Sequence, residues 1–167
     1  MPVRPSKLWK DMSPETRVVA ADSFWRDDQT DSAMQQIEAV VAIARRLNFR
    51  AKSIQALPIE RRARHLAQMS DVSDAVATRA LIAYHFSAKR DLMSAFLDAL
   101  GIAHENGLIK EESVTAPSKD QLVAAITKVR GTFPAAEVDL YVHTLAALDG
   151  ETWAQAEDAL AACSTLK

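Results

Sequence analysis

The side chains able to bind a metal or move a proton are few: His65, His85, His104, His143 and a single cysteine, Cys163. They form no H-x-x-x-H, H-E-x-x-H or E-x-x-H pattern, so a metal site would have to be gathered from distant segments, and neither metal nor cofactor is expected. Asp139 and His143 stand four residues apart and could touch on a helix. They lie opposite Val138, Val142 and Leu145, which suits a surface ion pair better than acid–base catalysis, a chemistry that needs a pocket and a tuned pKa. His85 is flanked by Tyr84 and Phe86, so it is expected half buried, its ring satisfied by neighbours. No G-x-S-x-G or S-x-x-K marks a serine nucleophile, and Ser13, Ser73, Ser87 and Ser118 each read as a helix cap. Gly101, Gly107, Gly131 and Gly150 are never closer than six residues, which rules out the common glycine-rich phosphate cradles. No catalytic residue can therefore be named, and catalysis is not the expected activity.

Charge is more informative. From Arg45 to Arg64 there are seven basic residues (Arg45, Arg46, Arg50, Lys52, Arg61, Arg62, Arg64) and one acid, Glu60, a local +6 against −8 for the rest. Arg46, Arg50, Arg61, Arg64 and His65 are the candidate binding residues of this face. It could receive an acidic protein surface, a nucleic-acid backbone or an anionic lipid head group. Only Phe49 interleaves an aromatic, and the whole chain is slightly acidic, so nucleic acid is disfavoured; the face is expected to meet either the chain's own excess of acids or an acidic protein surface as its partner. The leading expectation is a non-catalytic interaction or regulatory module using the face over about 45–65. The alternatives are a ligand binder or enzyme whose pocket lies under the loop 102–117 with His85 or His104, and a nucleic-acid-binding regulator.

The elements that must position these residues read as helices throughout. At 167 residues the chain is long enough to bury its own core, and one cysteine cannot bridge internally. No apolar leader opens the chain and no uncharged apolar run approaches the ~18 residues of a membrane span, so a cytoplasmic setting is the expectation. Residues 1–12 read as a flexible arm docking through Leu8 and Trp9, and 13–167 as a single helical domain. Ser13-Pro14-Glu15 starts a helix that reaches about Trp25. Ala33, Ile37, Val40, Val41, Ala44 and Leu47 share one face of the next. A short turn capped by Ser53 precedes a helix opened by Pro58, with Ile59, Ala63, Leu66 and Ser70 inward and Arg61, Arg64, His65 and Gln68 outward. After the irregular stretch 102–117, with its Asn106-Gly107 turn, Ser118–Gln121 forms a capping box. Leu122, Val123, Ala125, Ile126 and Val129 face inward, then Val138, Tyr141, Val142, Leu145 and Leu148. Thr152–Gln155 repeats the capping pattern before Trp153, Ala156, Leu160 and Cys163.

The most apolar stretch is the helix pair over about 74–100, with Ser87 as the cap between the two helices and Gly101-Ile102 as a Schellman stop. The fold expected is all-α, a compact bundle of seven or eight short helices around this hairpin. Tyr84-His85-Phe86-Ser87-Ala88-Lys89-Arg90-Asp91-Leu92 is similar to the segment that ends the DNA-binding helix-turn-helix of TetR-family repressors, a resemblance of about nine residues that would imply DNA binding. In that family a very short recognition helix lies near the N-terminus. Here the segment falls mid-chain, eleven residues after Val72-Ser73, on a helix too apolar for a major groove.

Overall fold

The computed structural model describes Pro2–Thr165, and over those residues the chain is all-α: ten α-helices, one 3-10 turn and a ribbon of two very short strands. That exceeds the seven or eight helices expected. The additions are α1 (Pro5–Asp11) and α4 (Ala51–Gln55), each too short to display a full apolar period in sequence. The chain separates into two compact units, one over Arg4–Ser87 and one from Ala88 onward that also takes in Val3.

The first unit holds α1, α2 (Pro14–Arg26), a 3-10 turn at Thr30–Ser32, α3 (Ala33–Leu47), α4, α5 (Ile59–Ala67) and all but the last residue of α6 (Asp74–Ala88). Residues 5–11 are helical, with Leu8 and Trp9 buried, and the Trp9 indole N–H donates to the Met69 carbonyl at 2.7 Å. Ser13 caps α2 by accepting from the Thr16 N–H. α2 lies closely along α5, and the Arg62 guanidinium stacks 5.0 Å above the Trp25 ring. At the start of α6, Ser73 accepts from the Val76 N–H. Asp74 accepts from the Ser6 backbone at 3.0 Å and from Arg4 at 2.6 Å, tying α1 to α6.

One face differs from its expectation. On α3 the buried residues are Ala39, Val40, Ile43 and Ala44, while Ala33 and Ile37 stand in solvent. Gln36 explains the rotation: its side-chain amide donates to the carbonyls of Phe24 (2.9 Å) and Asp27 (2.8 Å). That tether draws the Gln36 side of the helix inward and turns Ile37 outward. Asn48 then ends α3 in the left-handed region at φ 56°, with the Phe49 N–H returning to the Ala44 carbonyl.

Ser87 is not the N-cap expected of it. α6 continues through it, and its hydroxyl shares a 2.6 Å hydrogen bond with Ser23 of α2. Lys89 takes the N-cap position of α7 (Arg90–Leu100) without a capping side chain. The helix pair of 74–100 is thus divided: α6 belongs to the first unit and α7 to the second. Both are well buried, through Val76, Ala80, Leu81 and Tyr84 on one and Leu92, Met93, Phe96 and Leu97 on the other.

The second unit comprises α7, β1 (His104–Glu105), β2 (Leu108–Ile109), α8 (Lys119–Arg130), α9 (Ala135–Leu148) and α10 (Ala156–Thr165). α8 packs against both α7 and α10. Its core gathers Phe96, Leu122, Ile126, Val138, Tyr141 and Trp153, with Phe96 edge-on to Tyr141 at 5.6 Å. Gly101 (φ 71°) ends α7, and the Ile102 N–H donates to the Leu97 carbonyl, as the Schellman reading requires. The stretch read as irregular contains the ribbon, paired His104 to Ile109 and Glu105 to Leu108 and turned at Asn106-Gly107, both at positive φ. Ser118 and Gln121 form the capping box in full. Thr152 does not repeat it: its N–H donates to the Asp149 carboxylate in a turn, and α10 starts only at Ala156.

Candidate functional site

Arg46, Arg50, Arg61 and Arg64 are exposed and His65 is half-buried. α5 sets three of them. Ala63, Leu66 and Ala67 are buried, so helical geometry puts Arg61, Arg64, His65 and Gln68 on the other side, at spacings of three and four. Arg45 and Arg46 close the last turn of α3, where cations also complement the negative helix end, and Arg50 stands at the N-cap of α4. Among the described residues, no carboxylate lies within ion-pair distance of Arg45, Arg46, Arg50, Lys52, Arg61 or Arg64. Glu60, the acid inside the run, pairs with Arg26 at 3.1 Å. Arg62 is the exception among the arginines, half-buried against Trp25.

Sequence reasoning missed what accompanies these cations. Met34 is 76% exposed, Ile37 58% and Phe49 60%. Met34, Ile37, Val41 and Arg45 fall at spacings of three and four, so they form one stripe of α3, directed away from the buried side. Their spacing was visible, but it reads equally well as a core stripe until the Gln36 tether fixes the rotation.

The histidines have other places. His85 is buried, with Nδ1 2.8 Å from the Leu81 carbonyl, so that nitrogen carries the donated proton. His104 has Nε2 2.7 Å from Asp98 and accepts from the Gly107 N–H at Nδ1 (3.1 Å), which makes Nε2 the protonated nitrogen. Beside the 102–117 stretch lie two hollows. One of about 230 Å³ runs between Gly101, Glu111, Pro117 and Gln121, and one of about 570 Å³ is lined by Ile109, Glu111, Glu112, Asp149, Glu151 and Trp153. Neither His85 nor His104 is among the residues lining them.

The expected meeting of Asp139 with His143 does not occur. Arg130 donates to Asp139 at 2.6 Å, and His143 Nδ1 sits 2.8 Å from Glu157, a carboxylate that also accepts from the Val3 N–H. Position on α9 allowed the first pair, but α8 and α10 offer each side chain a partner from outside its own helix. Cys163 is buried against Val123 and Thr127, as its place on the apolar face of α10 requires. Burial pushes the Tyr141 phenol well above the usual tyrosine range, and the Thr152 hydroxyl and N–H hold the Asp149 carboxyl below its ordinary value.

Among the described residues, no three His, Cys, Asp or Glu side chains are gathered so that they could hold a metal ion. No described helix is long and apolar enough to cross a membrane. No family model, curated protein or solved structure matches the chain.

Proposed function

We propose that the chain is a non-catalytic interaction or regulatory module that receives an acidic protein surface on the face carrying Arg46, Arg50, Arg61, Arg64 and His65. The observation that supports this reading is the lack of carboxylate partners around the exposed arginines in a chain that is acidic overall. Guanidinium groups offer planar, forked donors suited to carboxylates, and here those donors are not occupied by the chain's own acids. An acidic partner would contribute counter-charge to a stretch that otherwise repels itself.

The test is binding of fluorescent poly-L-glutamate by the wild-type chain and by Arg61→Glu/Arg64→Glu, with duplex DNA as competitor. The expected result is salt-sensitive binding that falls at least about tenfold in the double variant, while the melting temperature is unchanged because both side chains stand in water. Equal binding by both proteins, or stronger retention of DNA than of poly-glutamate, overturns the reading.

A further inference from the structure

The arginines are not alone on their elements. Met34 and Ile37, a turn apart, continue along α3 through Val41 to Arg45, and Phe49 emerges just past the helix end between Arg46 and Arg50. Met34, Ile37 and Phe49, exposed on either side of the half-buried Val41 and bordered by cations without counter-ions, are half of an amphipathic contact. The second unit carries a surface of the opposite kind. Its hollow of about 570 Å³ is walled by Glu111, Glu112, Asp149 and Glu151 around Ile109 and Trp153. Among the described residues, none of these four carboxylates has a lysine, arginine or histidine within ion-pair distance. Next in sequence to the lining residues Ile109 and Asp149, Leu108 is 54% exposed and Leu148 46%.

We infer that the acidic surface received by the α3–α5 face is the carboxylate-rimmed hollow of a second copy of this chain. The inference rests on the reading under Proposed function and names its partner. Charge complementarity carries it: on the α3–α5 face the arginines outnumber the exposed Glu38 beside the stripe, the lining of the hollow holds no lysine, arginine or histidine, and each surface shows isolated exposed hydrophobes that the other could cover. The two surfaces are different, so each contact pairs the α3–α5 face of one copy with the hollow of another. Association therefore rises with concentration. The pairs lie at exposed positions, so salt weakens them, and at high ionic strength the copies separate.

The experiment is sedimentation velocity of the full chain over a concentration series, at ~0.02 M and ~0.5 M salt, ionic strengths that screen little and strongly. Two charge-reversed variants are run beside it, Arg46→Glu/Arg50→Glu and Glu111→Lys/Glu112→Lys. The expected result is a mass-average that grows with concentration at low salt and returns to the monomer at high salt. Each variant alone stays monomeric, because one of its two surfaces is reversed. Mixed in equal amounts, the variants associate again, since the intact face of one meets the intact hollow of the other. A wild type that is monomeric throughout overturns the inference, as do variants that associate like the wild type or a mixture that stays monomeric. If the wild type is monomeric yet binds poly-glutamate through Arg61 and Arg64, this inference falls and the acidic-partner reading stands. If poly-glutamate binding is absent too, both fall.

Discussion

Gly107 occupies a position that no side chain can share. Its φ of 88° lies in the left-handed region, and a Cβ built there would sit 2.7 Å from the Met93 Cβ. Gly101 has a similar φ of 71° with nothing within 4 Å of such a carbon, so the two glycines separate backbone strain from steric clash. Gly101→Ala is expected to lose about 1 kcal/mol in urea unfolding, and Gly107→Ala about 2–4 kcal/mol, because the hairpin must also move off α7. Equal losses would show that the ribbon gives way freely. Asp74 offers a pH signature. The Ser6 hydroxyl, the Arg4 guanidinium and the Ser6 N–H hold its carboxyl down from 3.8 to about 2. A depressed folded value means that this stabilisation is fully present above pH 3.8 and is lost as the pH falls through about 2. The side chain is partly in water, so the contribution is modest. A carboxyl NMR titration with its midpoint near the ordinary aspartate value would refute the bridge, and Asp74→Asn should flatten the stability profile in that acid window.

At the scale of single elements, what the chain spells out is what depends on neighbours in sequence. Ser13 and Ser118 cap their helices because both halves of the motif lie within one turn, and Gly101 ends α7 for an equally local reason. Ser118→Ala is therefore expected to lose about 1 kcal/mol, measured by thermal unfolding, with Gln121→Ala losing part of it; no change would mean that solvent satisfies the α8 N-terminus equally well. Ser87 failed as a cap because a hydroxyl from α2, 64 residues away in the chain, competes for it. The α3 face turns away from the side its spacing implies for a related reason. Ile37 and Ile43 are equally apolar, and only the Gln36 amide reaching two carbonyls of a preceding segment decides which one is buried. The short strands of the ribbon were invisible beyond their Asn-Gly turn, since two residues cannot establish an alternation.

For the molecule as a whole, class was the most legible property. Helical periodicity, caps and the lack of alternating runs led to all-α, and the described residues are built that way. The candidate site was legible in part. Counting charges located the arginines, but whether they face water without partners depends on where every acid lies, and that is a three-dimensional property. The carboxylate-rimmed hollow could not be found in sequence either, because Glu111 and Glu151 come together only after α8 and α9 have folded between them. Charge separation between the two stretches underlies both proposals, and each makes the chain's behaviour more sensitive to salt than its net charge of −2 would suggest.

The division at Ser87/Ala88 also sorts the three indoles. Trp9 and Trp25 belong to the first unit, and Trp153, buried beside Phe96, to the second. A chain with phenylalanine at positions 9 and 25 would therefore emit from the second unit alone, and one with phenylalanine at 153 from the first alone. The two emission traces, recorded in the same denaturant series, would tell whether the halves melt as one cooperative body or let go in turn.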